Sequence, residues 1–219
     1  CMNQIVNMAS KIRYISSGEH SVPLVIRAAI GRSWGQGAQH SQALQSFFMH
    51  VPGLKVIAPT TPHDVKGGLI ASIRDKNPVI FIEHRMLYKN AGYVPSDTYE
   101  IKFGKGRVLR EGNDITIVGV SHSVEDSLRA ADLLKGVGVN AEVIDPISLS
   151  PIDNEIIRDS VNKTKKLLVV DNGWMKCGFS AEIIADVATN CESILCQRPG
   201  FHRNTLSNNS IFRKTLLSK

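Results

Sequence analysis

The chain has 219 residues, of which 42% are hydrophobic and 21% charged, a balance typical of compact domains that excludes a disordered chain or a fibrous repeat. No apolar run approaches the roughly 18 residues a membrane span needs, and the opening CMNQIVNMAS lacks the basic region and long apolar core of a secretory signal. A soluble chain with no membrane partner is the expectation. The formal net charge of +6 does not argue for nucleic acid. No acidic residue follows Glu192, and Arg198, Arg203, Arg213, Lys214 and Lys219 supply five of the excess charges. Without aromatic residues spaced to stack on bases, that end reads as a solvated basic tail.

In chain order, residues 3–14 have helical spacing, and PLVIRA (23–28) reads as a buried strand. A glycine-rich loop, GRSWGQGAQHSQ (31–42), follows, then a helix over 41–50 with Ser41 near its N-cap. LKVIA (54–58) is the next strand. TPHDVKGGLIASIRD (61–75) is a helix with Thr61 as N-cap, Pro62 in its first turn and Asp64 favouring the positive end of the dipole. PVIFIE (78–83) is a third strand.

Between Tyr88 and Gly112 the rhythm breaks. Gly92, Pro95, Gly104, Gly106 and Gly112 interrupt any helix, and the polarity argues against a buried strand. A domain boundary is expected near Pro95, giving domains over 1–95 and 96–196 and a tail over 197–219. DITIVGV (114–120) is a strand, followed by a helix capped by Ser123, with Glu125 and Asp126 in its first turn and an end at Gly136 or Gly138. NAEVID (140–145), a helix from Asp153 to Val161, a solvated turn at KTKK (163–166), the strand KLLVVD (166–171) and a helix from Ser180 to Thr189 complete the pattern. Strand and helix alternating in this way indicates α/β architecture with parallel sheets.

The chemistry points to the loop at 31–42. Its spacing fits neither a dinucleotide-binding GxGxxG nor a Walker loop. Loops leaving the carboxyl ends of parallel strands are where α/β proteins hold ligands, and this one delivers His40, which can exchange a proton near neutral pH. From spacing alone, a helix-capping or packing role for His40 is the slightly favoured alternative. His63, His84 and His122 have no metal-like partner spacing and read as solvated or locally bonded. Cys1, Cys177, Cys191 and Cys196 form no CxxC pair and read as reduced thiols.

IRAAIGRSWGQGAQHSQ, HVPGLKVIAPTTPHDVKGGL, IRDKNPVIFIEHRMLY and EVIDPISLSPID together resemble the beta subunit of the thiamine diphosphate-dependent 2-oxo acid dehydrogenases, over about Asn3 to Asp186. The resemblance implies part of a thiamine-enzyme pyrimidine-binding domain followed by a transketolase C-terminal domain with a parallel or mixed sheet. It implies oxidative decarboxylation of pyruvate or a related 2-oxo acid, with acyl transfer to lipoamide. His40 would be the catalytic residue in the active-site channel, with Gln39, Ser41 and Gln42 as orienting groups. Leu24, Ser72, Ile73, Asp75 and Asn77 match positions that hold a structural K+ through carbonyl oxygens.

The same resemblance implies thiamine diphosphate shared with an alpha subunit, Mg2+ held by that subunit, an assembly of two alpha and two beta chains, and a lipoyl-bearing acyltransferase core. A bacterial cytoplasm is the first expectation for compartment, with mitochondrial matrix or plastid stroma open. Cys1 ahead of Met2 and the lack of the family's upstream cofactor-activating glutamate lead us to expect an N-terminally truncated piece of a longer subunit. Pro146 and Ile147 stand where the family usually has leucine and arginine, and the sequence beyond Arg198 departs from it. Two alternatives stay in view: a non-catalytic module retaining the fold, and the C-terminal half of a transketolase or deoxyxylulose phosphate synthase.

Overall fold

A computed structural model describes residues 1–31 and 36–197; positions 32–35 and the basic tail from 198 onward lie outside the described residues. A π-type helical turn, Gln4–Ala9, runs directly into α1, Ser10–Ile15. The first sheet contains β1 (Val25–Ile30), β2 (Lys55–Ile57), β3 (Val79–His84) and β7 (Ser148–Ser150), in the order β1-β3-β2-β7. β1, β2 and β3 pair in parallel. β3 lies between two neighbours with both faces covered, so Val79, Ile80, Phe81 and Ile82 are all buried and the usual alternation of a one-sided strand is absent. β1 lies at the edge and is only partly covered.

The helix after the glycine-rich loop is shorter than expected. α2 spans Gln45–Met49 with Leu44 at its cap position, and Ser41 is not its cap. The Gly31 N–H donates to Gln42 O at 3.3 Å, which holds the preceding residues to the end of β1 and keeps them out of the helix. α3, Pro62–Arg74, starts as expected: Thr61 Oγ1 accepts from the Asp64 N–H at 3.2 Å, and Asp64 Oδ2 accepts from the Thr61 N–H at 3.3 Å. Gly67 and Gly68 in its middle disfavour a helix by about 1 kcal/mol each relative to alanine. Their lack of a side chain admits close neighbours, since a Cβ on Gly67 would meet Tyr99 at 2.7 Å and one on Gly68 would meet Ile57 at 2.9 Å.

From Tyr88 to Gly106 the chain has no helix or strand. It is laid along α3 by Lys66, whose ammonium donates to the carbonyls of Pro95, Ser96 and Asp97, and by the Tyr99 hydroxyl, which donates to His63 O at 2.8 Å.

The second sheet is β4 (Arg107–Arg110), β5 (Ile115–Gly119), β6 (Ala141–Asp145), β8 (Lys166–Val170) and β9 (Leu195–Gln197), in the order β4-β6-β5-β8-β9. Its helices are α4 (His122–Lys135), α5 (Asn154–Thr164) and α6 (Phe179–Asn190). β5 and β6 are buried at every residue. β4 forms inside the stretch that polarity had argued against. It does so as a half-buried edge strand, antiparallel to β6, where its charged side chains reach solvent or partners.

Two further expectations are corrected. α4 begins at His122, so Ser123 is buried within it, and the cap position falls to Ser121 at φ 52° and ψ −123°. KTKK is not a free turn. Lys163 lies in α5 and donates to the buried Glu142 at 2.5 Å, while Lys165, with φ 58°, ends the helix. Burial works against the Glu142 charge, but the Lys163 bond prevails and holds its carboxyl below the ordinary range.

One apolar cluster runs through both sheets, joining Val56, Ile80 and Ile82 of the first to Val118, Ile144, Phe179 and Ile183 of the second. Full burial of a side chain such as Phe179 contributes about 1.5–3 kcal/mol. β7 is the chain's return into the first sheet, pairing antiparallel to β2 with Val56 opposite Ser150. A polar staple crosses the same seam. The Arg107 guanidinium grips Asp64 of α3 with both nitrogens, at 2.9 Å from Nη1, and reaches Asp145 of β6 at 3.2 Å. Burial beside a second carboxylate outweighs the pull of Arg107 and pushes Asp145 up to about 6.

Candidate active site

β1 and β3 run parallel as neighbours, so Ile30 and His84 end side by side and the segments that follow them meet. After β1 comes the glycine-rich loop; after β3 come Arg85, Met86 and Leu87 in a 3-10 turn. Arg85 joins the two. Its Nη1 donates to Gly31 O at 2.9 Å and to His40 O at 2.8 Å, the carbonyls at the two ends of the loop. With the bond from the Gly31 N–H to Gln42 O, the loop is closed at its base while the His40 residue stays exposed. An exposed imidazole on a closed base can meet a ligand and exchange a proton with it.

Gly31 makes this closure possible. Its φ of +76° is a conformation that side chains oppose, and a Cβ there would stand 2.0 Å from His84 Nε2. The His84 imidazole therefore fills the space under the loop. It is buried, its Nδ1 accepts from the Met86 N–H at 3.3 Å, and its ring stacks on His122 at 4.9 Å between centroids. Burial, then the neighbouring His122 and Arg85, lower its pKa to about 4, so it is neutral near pH 7. His122 in turn faces Asp126 at 3.5 Å and Glu125 at 4.0 Å. Thr60 Oγ1, after β2, donates to Ser121 O at 3.4 Å, so the carboxyl ends of strands from both sheets converge here.

The helix that follows the loop is pinned from behind. Gln45 is fully buried and donates through Nε2 to Asp171 Oδ1 at 2.8 Å, which also accepts from the Gly173 N–H at 2.9 Å. The Phe179 N–H donates to Ser46 Oγ at 3.1 Å. Burial pushes the Asp171 carboxyl above its ordinary pKa. Leu44 and Phe47 on α2, and Met86 and Tyr88 after β3, leave large apolar side chains exposed on the two elements bordering the loop.

The residues matched to potassium lie at one corner of the first sheet, away from His40 in sequence. The Val79 N–H donates to Leu24 O at 2.8 Å and the Val22 N–H to Lys76 O at 3.1 Å, laying the lead-in to β1 against the turn that closes α3. The side chains of this corner are already engaged or turned away. Ser72 Oγ donates to Gly68 O at 2.6 Å, Ile73 is exposed, and Asp75 accepts from the Asn77 N–H at 2.8 Å, from Asn77 Nδ2 at 3.1 Å and from Lys55. Although burial works the other way, the bonds from Lys55 and Asn77 hold the Asp75 carboxyl below its ordinary range. The oxygens left over are main-chain carbonyls. Those of Ser72 and Ile73 belong to the last turn of α3, where carbonyls have no intrahelical partner and the dipole is negative. Such a set fits a hard cation of low charge.

Among the described residues, no group of three or more His, Cys, Asp or Glu is placed to hold a metal ion, and no helix is long and apolar enough to cross a membrane. His63 stacks on Tyr99 at 4.5 Å, a local contact as expected. Sequence reasoning singled out His40 as a candidate but passed over Arg85 and the His84–His122 stack. The available signal was a histidine and an arginine closing a strand that opens on four apolar residues, in VIFIEHR.

Residues 2–90 match the model of the transketolase pyrimidine binding domain and residues 104–199 that of the transketolase C-terminal domain. The chain is 45% identical over 188 residues to the acetoin:2,6-dichlorophenolindophenol oxidoreductase subunit beta of Cupriavidus necator, covering 86% of this chain and 56% of the relative. It is 45% identical over 190 residues to the mitochondrial pyruvate dehydrogenase E1 component subunit beta of Caenorhabditis elegans, covering 85% and 54%. The chain thus spans about half the length of the curated relatives it matches. A split-gene transketolase, an inactive beta4 tetramer, superposes with a TM-score of 0.70 at 22% identity, over 90% of this chain and 63% of that one. At that identity the likeness speaks to the fold.

Proposed function

The chain belongs to the family of thiamine diphosphate-dependent 2-oxo acid dehydrogenase beta subunits, and on that premise we propose that it forms part of the decarboxylating component of such a complex. Its reaction is oxidative decarboxylation of pyruvate or a related 2-oxo acid, with transfer of the acyl group to lipoamide. The observation that carries this reading is the closed loop at the end of β1, which exposes His40 and is tied at its base by Arg85, the residue after the neutral, buried His84. We take residues 1–95 as the end of the pyrimidine-binding domain and 96–196 as the C-terminal domain.

Thiamine diphosphate, when bound, supplies the carbon-carbon bond cleavage. The part of this chain is to line the channel and handle a proton. Opening of the lipoyl disulfide leaves a sulfur that must be protonated, and His40 is the donor. The carbonyl corner at Leu24, Ser72, Ile73, Asp75 and Asn77 takes K+. The alpha subunit holds the diphosphate and Mg2+, in an assembly of two alpha and two beta chains that works on a lipoyl-bearing core in the bacterial cytoplasm. Exposed Leu44, Phe47, Met86 and Tyr88 beside the loop are apolar surface of the kind a partner chain covers.

The test is to assemble the full-length gene product with its alpha subunit, add thiamine diphosphate and Mg2+, and supply pyruvate, branched-chain 2-oxo acids and acetoin separately with dichlorophenolindophenol as electron acceptor. Dye reduction with release of carbon dioxide from a 2-oxo acid is expected. Turnover of acetoin alone, or of none of the three, overturns the reading.

A further inference from the structure

We propose that Arg85 is the positioning residue for His40, tying the two ends of the glycine-rich loop so that the imidazole is presented in one place. The inference rests on the functional reading above, and it assigns to Arg85 a task that acts only through His40.

The geometry is specific. A guanidinium Nη carries two N–H groups, and Arg85 Nη1 has two acceptors within bonding distance, Gly31 O at 2.9 Å and His40 O at 2.8 Å. The two carbonyls are nine residues apart in the chain, at opposite ends of a loop rich in glycine, which by itself has wide conformational freedom. Arg85 comes from neither end. It sits on the 3-10 turn following β3, a strand buried on both faces, so the anchor is fixed to the core of the first sheet. A main-chain bond from the Gly31 N–H to Gln42 O, at 3.3 Å, also draws the loop together but does not hold His40 itself. His84 fixes the floor, because its ring occupies the space a side chain at position 31 would need. A charged donor serving two neutral carbonyls makes stronger bonds than a neutral one would. Among the described residues the Arg85 guanidinium has no carboxylate partner, unlike those of Arg27, Arg107 and Arg158, which pair with Glu83, Asp64 and Asp186.

Misplacing a catalytic group by about 1 Å can slow a reaction roughly a hundredfold. The experiment uses the assembled full-length complex with thiamine diphosphate and Mg2+, comparing Arg85→Met, Arg85→Lys, His40→Ala and the Arg85→Met/His40→Ala double variant. Acyl transfer to a lipoyl domain and hydrogen exchange at the 31–42 amides are both measured. For Arg85→Met the expected result is a kcat for acyl transfer lowered about ten- to a hundredfold with KM for the 2-oxo acid within about twofold, and faster exchange of the Gly31 amide. Arg85→Lys, which keeps the charge and the N–H donors but on a shorter side chain without the planar fork, restores part of both. The double variant is no slower than His40→Ala alone, as expected of a residue working through another.

An Arg85→Met enzyme with normal transfer, while His40→Ala is slow, overturns the proposal and spares the reading of His40. Slow transfer with unchanged exchange, or a double variant slower than His40→Ala, also overturns it, since Arg85 would then act on substrate directly. If His40→Ala itself transfers normally, the functional reading fails, and with it the reason for positioning.

Discussion

Two arginines bridge distant parts of this chain, and they do so with opposite chemistry. Arg107 lies across the seam between the sheets and meets two buried carboxylates, Asp64 and Asp145. Arg85 lies at the end of β3 and meets two main-chain carbonyls. Around Arg107 the polar groups are ionic and buried, so removing the cation strands charge inside the protein. Around Arg85 they are neutral, and the nearest titratable neighbour, His84, is kept uncharged. The contrast separates a bridge on which stability depends from one on which placement of a loop depends.

The largest expected effect is at the first bridge. Arg107→Met leaves Asp64 and Asp145 facing each other with no cation, and should cost about 3–5 kcal/mol. For a chain of this size that lowers Tm by roughly 10 °C, at about 2–4 °C per kcal/mol, readable by thermal unfolding. Unfolding Arg85→Met alongside it completes the comparison, and an equal loss in the two variants would erase the distinction between the two bridges.

Acid titration probes the second neighbourhood. His84 has its pKa lowered from 6.5 to about 4 in the folded protein, so the contribution of its neutral form is fully present above pH 6.5 and is lost as pH falls toward 4. The shift corresponds to about 3 kcal/mol. Denaturant unfolding at pH 7 and pH 4.5 should show stability falling in wild type, and His84→Gln should flatten that fall. An equal slope in both proteins would mean that the imidazole is not held neutral by its surroundings.

Gly31→Ala is a smaller and more local challenge, because it forces a side chain into a left-handed conformation and against the His84 ring at once. A loss of about 1–3 kcal/mol is expected, with faster exchange of the 31–42 amides. If the variant is as stable as wild type, the imidazole is not the floor of the loop.

Much of this architecture is legible from local sequence. β3, β5 and β6 show as short runs rich in Val and Ile because both faces are covered, and Thr61-Pro62-His63-Asp64 spells out the start of α3. β7 and β9 have three residues each, including polar ones, and become strands only because a neighbour offers an edge. Ser123 reads as the cap because it precedes an apolar-periodic run, yet the turn after β5 places the cap at Ser121 and the helix start two residues earlier. His40 stands out as a candidate because its loop lacks large aliphatic side chains. Arg85 does not, since its partners are 45 and 54 residues away and are main-chain atoms that carry no mark in the sequence. The same distance hid Arg107 from Asp64 and Asp145, separated by 43 and 38 residues.

The central claim is that the loop at the end of β1 places a proton donor where the acyl group is transferred. Its most direct test is single-turnover acylation of a lipoyl domain by the assembled full-length complex carrying His40→Ala, followed alongside 2-oxo acid decarboxylation with an artificial acceptor. The account predicts acyl transfer slowed by about 10²–10⁴-fold, the usual contribution of a positioned acid, with folding and subunit assembly intact. Transfer at the wild-type rate by a correctly assembled His40→Ala complex would contradict it.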